Sequence, residues 1–539
     1  MTTYLTRALS TLALAAGLSV VSSSCTKDLN QVPSYSANAE VVYSDPAQIL
    51  QVLARLYGTF AVSGQNGPAG SPDISGIDEG FSNYLRQYWQ IQEVTTDEAV
   101  IGWNDGTLPN LNTLTWNADN EFVRATYDRI FYEVSLCNEF IRQTSDDKLS
   151  SRGVTGAGAE AVRTYRAEAR LLRALSYWHA IDLFGGGPFA TEKDAIGTTP
   201  PYRNRADMFT FVESELKDLD ANGPLLAPRA VYARADKAVC WTLLTKLYLN
   251  AKVYTGTDRS TDALTYANKV LTQGGYSLCN TATASASAYQ KLFLADNGQT
   301  DARNEVIFPI TFDGQRTKTY GGMTYLVHAP VGRAVSPGSA GINGGWAGLR
   351  TKPNLTGLFG ANTGPGDQRA ALFVFKGQNP SVDTLGQFSS GPLVAKFRNV
   401  TSAGVQGSDA SGDFADTDFP MFRLADVQLM YAEAVLRGGQ GGNLATALGY
   451  VNGLRTRAGS NTVATIALND ILDERARELF WEGHRRTDLI RFGKYATGYN
   501  WPFKGNVRGG RDVDATRVLF PIPNSDRVAN ANLPQNPGY

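Results

Sequence analysis

A mainly α fold of tetratricopeptide-like helix pairs, interrupted by one large loop-rich insertion, is what the chain predicts, and three observations carry it. Apolar residues recur at helical spacing along most of the first half and again from about 420 to 495. A nine-residue stretch occurs twice: Ala263 to Leu271 and Ala447 to Arg455 agree at Ala, Leu, Tyr and Asn with an offset of 184 (447 − 263). Each copy follows another helical stretch ending in Gly, and small residues interleaved with Tyr and Leu are how paired repeat helices pack. Strand-like segments are few and confined to the middle.

In chain order, Arg7 precedes an apolar run from Ala8 to Val21 that is too short to span a bilayer and reads as a signal peptide. Ser44-Asp45-Pro46 supplies an N-cap and a proline at the first helical position, so a helix follows with Ile49, Leu53, Leu56, Tyr57 and Phe60 on its apolar face. Glycines between 64 and 70 end it. Further helices are expected at about 119–143, 159–184, 207–221, 236–254, 260–273, 421–437, 443–458 and 468–492. Val306 to Phe312, Ala371 to Lys376 and Val394 to Arg398 read as strands, and 145–160, 280–288 and 401–418 as surface loops. Residues 1–24 form the leader, and 25–539 one domain with its helical scaffold at about 40–275 and 420–495 and its insertion at about 276–419.

Composition narrows the function. Lys+Arg total 50 against Asp+Glu 51, with no basic block, which excludes nucleic acid and anionic membrane surfaces as natural partners. The 24 Tyr, 24 Phe and 8 Trp exceed what a helical core needs, so some rings should be exposed. Cys137, Cys240 and Cys279 are odd in number and widely spaced, giving neither a disulfide framework nor a zinc site; Cys137 and Cys240 read as buried thiols. The only histidines, His179, His328 and His484, stand outside any metalloprotease, nucleophile-elbow or P-loop pattern. Gly185 to Gly187 before Pro188 is a helix stop rather than a phosphate loop. Asp409, Asp413, Asp416 and Asp418 lack the spacing of a calcium loop and read mainly as solvated acids. No cofactor or metal is implied, and no catalytic residue is assigned.

The densest signal is the run from Ile471 to Gly493, in which Glu474, Glu478 and Glu482 fall at i, i+4 and i+8 among Arg475, Arg477, Arg485, Arg486, Asp488 and Arg491. Carboxylates and guanidiniums can then pair along and across the helix. A solvated, salt-bridged face is the plain reading of such a run. A glycosidase pair is a poor one, because each Glu has an Arg close by that holds it ionised. The run resembles the C-terminal signature of the SusD/RagB family of surface glycan-binding lipoproteins, and on that resemblance its residues hold the architecture together and do no chemistry. The resemblance extends to Leu519-Phe-Pro-Ile-Pro523 and to the final eight residues, and it implies tetratricopeptide-like helix pairs. Ser22-Ser23-Ser24-Cys25 resembles a lipoprotein cleavage site, so Cys25 would carry the acyl chains that anchor the protein to the outer membrane, and Lys27-Asp28 is similar to a surface-export tag. The family also implies a SusC-like TonB-dependent transporter as partner.

Gly70 to Gly80, continuing through Arg86 and from Glu93 to Gly106, mixes turn residues, acids and aromatics like a loop-built site. It is similar to the corresponding run of the family's starch-binding prototype, which implies sugar-binding roles for Arg86 and Trp103. By the same resemblance Tyr320, with Tyr325 as its rival, and Trp346 match a further Tyr and Trp. The chemistry agrees: a pyranose presents an apolar face of C–H bonds and a rim of hydroxyls, so it needs flat rings and planar hydrogen-bonding groups. Trp103 and Trp346 supply rings, and Arg86, Asn104 and Asp105 supply hydrogen bonds. The implied ligand is starch or malto-oligosaccharide, with another polysaccharide or a peptide as the alternative.

Overall fold

A computed structural model describes residues 39–70 and 72–539; Cys25 and the leader lie outside the described residues. The longer helices are α1 (Pro46–Ala61), α2 (Tyr84–Glu93), α3 (Glu121–Gln143), α4 (Gly156–Phe184), α5 (Arg205–Ala221), α6 (Lys237–Leu249), α7 (Ser260–Gln273), α8 (Gly322–His328), α9 (Leu424–Leu436), α10 (Leu444–Arg457), α11 (Leu468–Leu479) and α12 (Arg485–Arg491). α1 begins as its cap predicts, the Asp45 carboxylate accepting from Ala47 N at 2.9 Å. Ile49, Leu53, Leu56 and Phe60 all reach the core.

The scaffold is a chain of pairwise packings, α3 on α4, α4 on α5, α5 on α6, α6 on α7, α7 on α9 and α9 on α10. The two sequence repeats lie in α7 and α10 and flank α9, so the insertion leaves the helical stack between α7 and α9 and the stack resumes without a gap. Ala263, Ala267 and Ala447 are fully buried, the small residues that let neighbouring helices approach. Met323, Leu349, Phe373 and Val394 of the insertion belong to the same apolar core as the helices.

Among the described residues, four two-stranded antiparallel sheets accompany the helices: β1 (Val100–Ile101) with β5 (Leu349–Arg350), β2 (Gly186–Pro188) with β3 (Tyr202–Asn204), β4 (Val306–Ile310) with β8 (Phe419–Arg423), and β6 (Phe373–Val374) with β7 (Leu393–Val394). Three expectations need correction. Tyr84–Glu93 is a helix where only loop was expected: its apolar stripe of Tyr84, Leu85, Tyr88 and Trp89 is short and follows directly on a turn-rich run, and the polar residues opposite it are buried as well. The region 145–160 is largely helical rather than looped, with Asp146–Ser151 a short helix and α4 starting at Gly156. The helix expected over 468–492 breaks between α11 and α12, where Trp481 and Gly483 take φ values of 65° and 79°. Gly483 is required there, since a Cβ would lie 2.8 Å from the Tyr88 ring.

That break places the charged run inside the molecule. Glu478 and Glu482 are fully buried, so the reading as a solvated face fails. Most of their partners come from distant segments rather than from the same helix. Arg423 bonds Glu482 at 2.6 Å, Glu478 at 2.8 Å and Glu305 at 2.9 Å, while Lys396 bonds Glu482 at 2.7 Å. Arg369 bonds Asp367 at 2.8 Å and Glu474 at 2.7 Å. Burial alone would raise the Glu474 carboxyl, but the guanidiniums of Arg369, Arg477 and Arg455 reverse this and hold it at about 2. The network thus joins the insertion (Glu305, Arg369, Lys396) to the C-terminal helices, and removing either partner of such a buried pair costs about 3 to 5 kcal/mol.

Candidate glycan-binding site

A cavity of about 800 Å³ opens where the loop after β1 meets the insertion, lined by Asp78, Gly80, Phe81, Arg86, Trp103 to Gly106, Leu108, Glu121, Phe122, Tyr320 and Trp346. Its two tryptophans are delivered by one strand pair. Val100 and Ile101 pair with Arg350 and Leu349, and Gly102 N donates to Gly348 O at 2.9 Å. Trp103 therefore leaves one strand as the 346–348 segment enters the other. That segment is pinned from behind by backbone hydrogen bonds, Trp346 N to His328 O at 2.9 Å, Ala347 N to Val331 O at 3.1 Å and Gly348 N to Ala329 O at 2.8 Å. Gly348 leaves the space that the Trp103 ring occupies, since a Cβ would come within 2.3 Å of it. Arg350, fully buried, fixes the other side of the strand through Ser390 O at 2.8 Å and Leu385 O at 2.6 Å.

The rings form an arc. Trp103 and Trp346 have centroids 6.3 Å apart with their planes inclined at 47°, and Tyr320 stands 6.4 Å from Trp346 at 63°. Trp103 Nε1 donates to Trp346 O at 3.2 Å, which locks one indole to the other's backbone. Trp103 and Trp346 are part-buried and Tyr320 is 38% exposed, so each presents surface to the cavity. His328 stacks against Trp346 at 4.8 Å, its Nδ1 bonded to Gly344 O at 2.6 Å; burial lowers its affinity for a proton, which keeps a neutral ring beneath the indole.

Arg86 reaches the cavity from the first turn of α2, whose cap Asn83 accepts from Arg86 N at 3.0 Å. Its Nη1 donates to Gly80 O at 3.1 Å and Tyr320 O at 3.4 Å, its Nε has no partner, and it is 8% exposed. Burial lowers its pKa, and no carboxylate offsets the burial by direct contact. A guanidinium held in a plane with hydrogen-bonding capacity to spare suits a sugar hydroxyl. Asn104 and Asp105 are exposed at the rim on a turn that Glu121 braces, its carboxylate accepting from Thr107 N at 2.8 Å.

The structure thus brings Arg86, Trp103, Asn104, Asp105, Tyr320 and Trp346 onto one cavity. Tyr325 is placed differently. It is fully buried on α8, its ring 4.3 Å from the Arg86 guanidinium and 5.9 Å from Trp103, and its hydroxyl accepts from Gln90 at 3.1 Å. It supports the wall without lining it, so of the two rival tyrosines only Tyr320 faces the cavity. Asp78, Phe81 and Glu121 line it too and were not singled out from the sequence. Glu121 stood just inside an expected helix and counted as scaffold, and Phe81 gave no signal apart from following the Gly-rich acidic run.

A helical-repeat scaffold that carries an aromatic-walled cavity beside a long insertion is the architectural class these observations define. The C-terminal residues 368–539 match the SusD family. The chain is 34% identical to the starch-binding protein SusD of Bacteroides thetaiotaomicron, over 97% of this chain and 98% of that one, and 26% identical to SusD-like protein P2 of Formosa agariphila, over 82% and 86%. The chain belongs to the SusD family. Its fold is shared with a SusD superfamily protein from Parabacteroides distasonis (TM-score 0.69, 19% identity, 92% of this chain and 99% of that one). It is shared also with surface glycan-binding protein A of B. thetaiotaomicron, solved in complex with laminarihexaose (TM-score 0.67, 18% identity, 91% and 99%).

Proposed function

We propose that this protein is a cell-surface glycan-binding lipoprotein that captures starch or malto-oligosaccharides in the Trp103/Trp346 cavity and delivers them to a SusC-like TonB-dependent transporter. The observation that carries the reading is the inclined pair of indoles with Arg86 beside them, which offers ring faces to successive pyranoses and a planar donor to their hydroxyls. The identity to a protein named for starch binding supports the choice of ligand. The relatives carry the names of binding proteins, and the chain is a binding protein and not an enzyme. The resemblance of Ser22-Ser23-Ser24-Cys25 to a lipoprotein cleavage site supports a lipid-anchored surface location, and among the described residues no helix is long and apolar enough to cross a membrane. The transporter partnership rests on the family alone.

Isothermal titration of the purified mature protein against maltoheptaose, a β-glucan and a mannan of similar length tests the ligand. Saturable binding of maltoheptaose is expected. Binding of one of the others in its place overturns the starch assignment, and binding of none overturns the glycan-binding reading.

A further inference from the structure

The aromatic arc explains how a sugar ring would be held, but the polar lining of the cavity is lopsided. Asp78, Asp105 and Glu121 contribute three carboxylates and Arg86 the single guanidinium, so the lining carries a formal charge of 1 − 3 = −2. The hydrogen bonds that the carboxylates accept come from neutral groups, Phe81 N at 3.0 Å for Asp78 and the Thr107 N–H and hydroxyl at 2.8 and 3.4 Å for Glu121. Among the described residues no cation cancels them by contact. Arg124, one turn along α3 from Glu121, donates to Gly76 O, and Lys318, close to Tyr320 in sequence, lies over the Phe414 ring. Arg86 itself is spent partly on the carbonyls of Gly80 and Tyr320.

We infer that Asp78, Asp105 and Glu121 set the ligand class of this cavity as uncharged glycans by repelling glycans that carry uronate or sulfate groups. The inference rests on the glycan-binding reading and deepens it. Carboxylates are acceptors only, so they match the hydroxyl donors of a sugar but find no donor on a uronate or sulfate group placed against them. A like charge brought beside these carboxylates is opposed by Coulomb repulsion, which salt screens because the groups face solvent. One guanidinium against three carboxylates leaves that opposition in force, and the near balance of the whole chain, 50 basic against 51 acidic residues, supplies no compensating field.

The test compares maltoheptaose with the same heptasaccharide oxidised to carboxylate at its primary alcohols, titrated into the full mature chain at low and high salt. The wild type should bind the neutral ligand at least tenfold more tightly in about 0.01 M salt. The gap should narrow in about 1 M salt, where screening shortens from about 30 Å to about 3 Å. In the variant Asp78→Asn/Asp105→Asn/Glu121→Gln the ratio of the two affinities should fall at least tenfold; a ratio is read so that hydrogen bonds lost to both ligands cancel. Should the triple variant fail to fold, Asp78→Asn/Asp105→Asn, confined to two exposed residues, should still lower the ratio at least threefold. Equal wild-type affinity for the two ligands, or a ratio unmoved by the substitutions, overturns this inference and leaves the glycan-binding reading standing. Absence of maltoheptaose binding in the wild type overturns the starch reading and this inference with it.

Discussion

Arg485→Ala should destabilise the protein severely without touching the cavity. Arg485 Nε and Nη2 each reach a different oxygen of Asp97 at 2.8 Å, and their side chains are 2% and 0% exposed. Burial alone would raise the Asp97 carboxyl, and the Arg485 guanidinium reverses this and holds it below its ordinary value. After truncation Asp97 keeps the Tyr499 hydroxyl at 2.7 Å but has no counter-charge in contact, a loss of about 3 to 5 kcal/mol. In a chain of this size that lowers Tm by roughly 3 to 5 °C. The stranded carboxylate can be relieved by protonation, so the deficit should shrink as pH falls from 8 to 5, and Arg485→Met combined with Asp97→Asn should recover part of the stability. Calorimetric melting of the wild type and both variants at the two pH values measures this. A melting curve unchanged by Arg485→Ala, together with lost sugar binding, would refute the structural role and move Arg485 into the site.

Three further outcomes follow from other parts of the molecule. Cys25→Ala should leave the protein uncleaved or released from the outer membrane, because stable anchoring needs the acyl chains; fractionation showing wild-type membrane retention would contradict it. Glu133, fully buried in α3, is pushed by burial to about 8 against the Thr59 hydroxyl and the Cys137 thiol that donate to it. A folded value above the ordinary 4.5 means that the native state keeps a proton the unfolded chain has lost, so stability falls as pH rises between those values. Relative to Glu133→Gln, the wild type should lose about 2 to 3 kcal/mol between pH 5.5 and 7.5 in urea denaturation, and parallel pH profiles would exclude the effect. Gly348→Ala drives a methyl group to within 2.3 Å of the Trp103 ring. It should weaken glycan binding at least tenfold while Tm moves little, and unchanged affinity would show that Trp103 need not hold its position.

The helical class and most element boundaries were legible because α1, α3, α6, α7 and α10 carry caps or repeats that act locally, such as Asp45 before Pro46. α2 was not, because its stripe of Tyr84, Leu85, Tyr88 and Trp89 is short and follows a turn-rich run, and the face opposite is buried too, with the side-chain amides of Gln87, Gln90 and Gln92 donating to Phe81 O, the Tyr325 hydroxyl and Asp182. The break at Trp481 was hidden for a related reason: its left-handed backbone is held by contacts nearly 400 residues away in sequence, Trp89 Nε1 to Trp481 O at 2.8 Å and Gly483 N to Glu93 at 2.6 Å. The ion pairs of the signature were visible as residue types, but their partners Arg369, Lys396 and Arg423 are scattered through the chain and only the fold gathers them. At the cavity, Trp103, Trp346 and Arg86 stood out through their motif context. Asp78, Phe81 and Glu121 did not, because their places on the wall depend on the approach of α3 to the 78–86 segment, and Tyr325 and Tyr320 could be told apart only by burial.

The central claim is that the cavity binds glycan through Trp103 and Trp346, and the most direct test is titration of Trp103→Ala and Trp346→Ala with maltoheptaose, each variant also melted thermally. Truncating a ring at the centre of a contact costs about 2 kcal/mol or more, roughly thirtyfold in affinity, whereas a core tryptophan would cost about 3 to 5 kcal/mol of stability instead. Both variants are predicted to melt close to the wild type and to lose nearly all measurable binding. Wild-type affinity in either variant, or a large loss of stability with binding retained, would contradict the account.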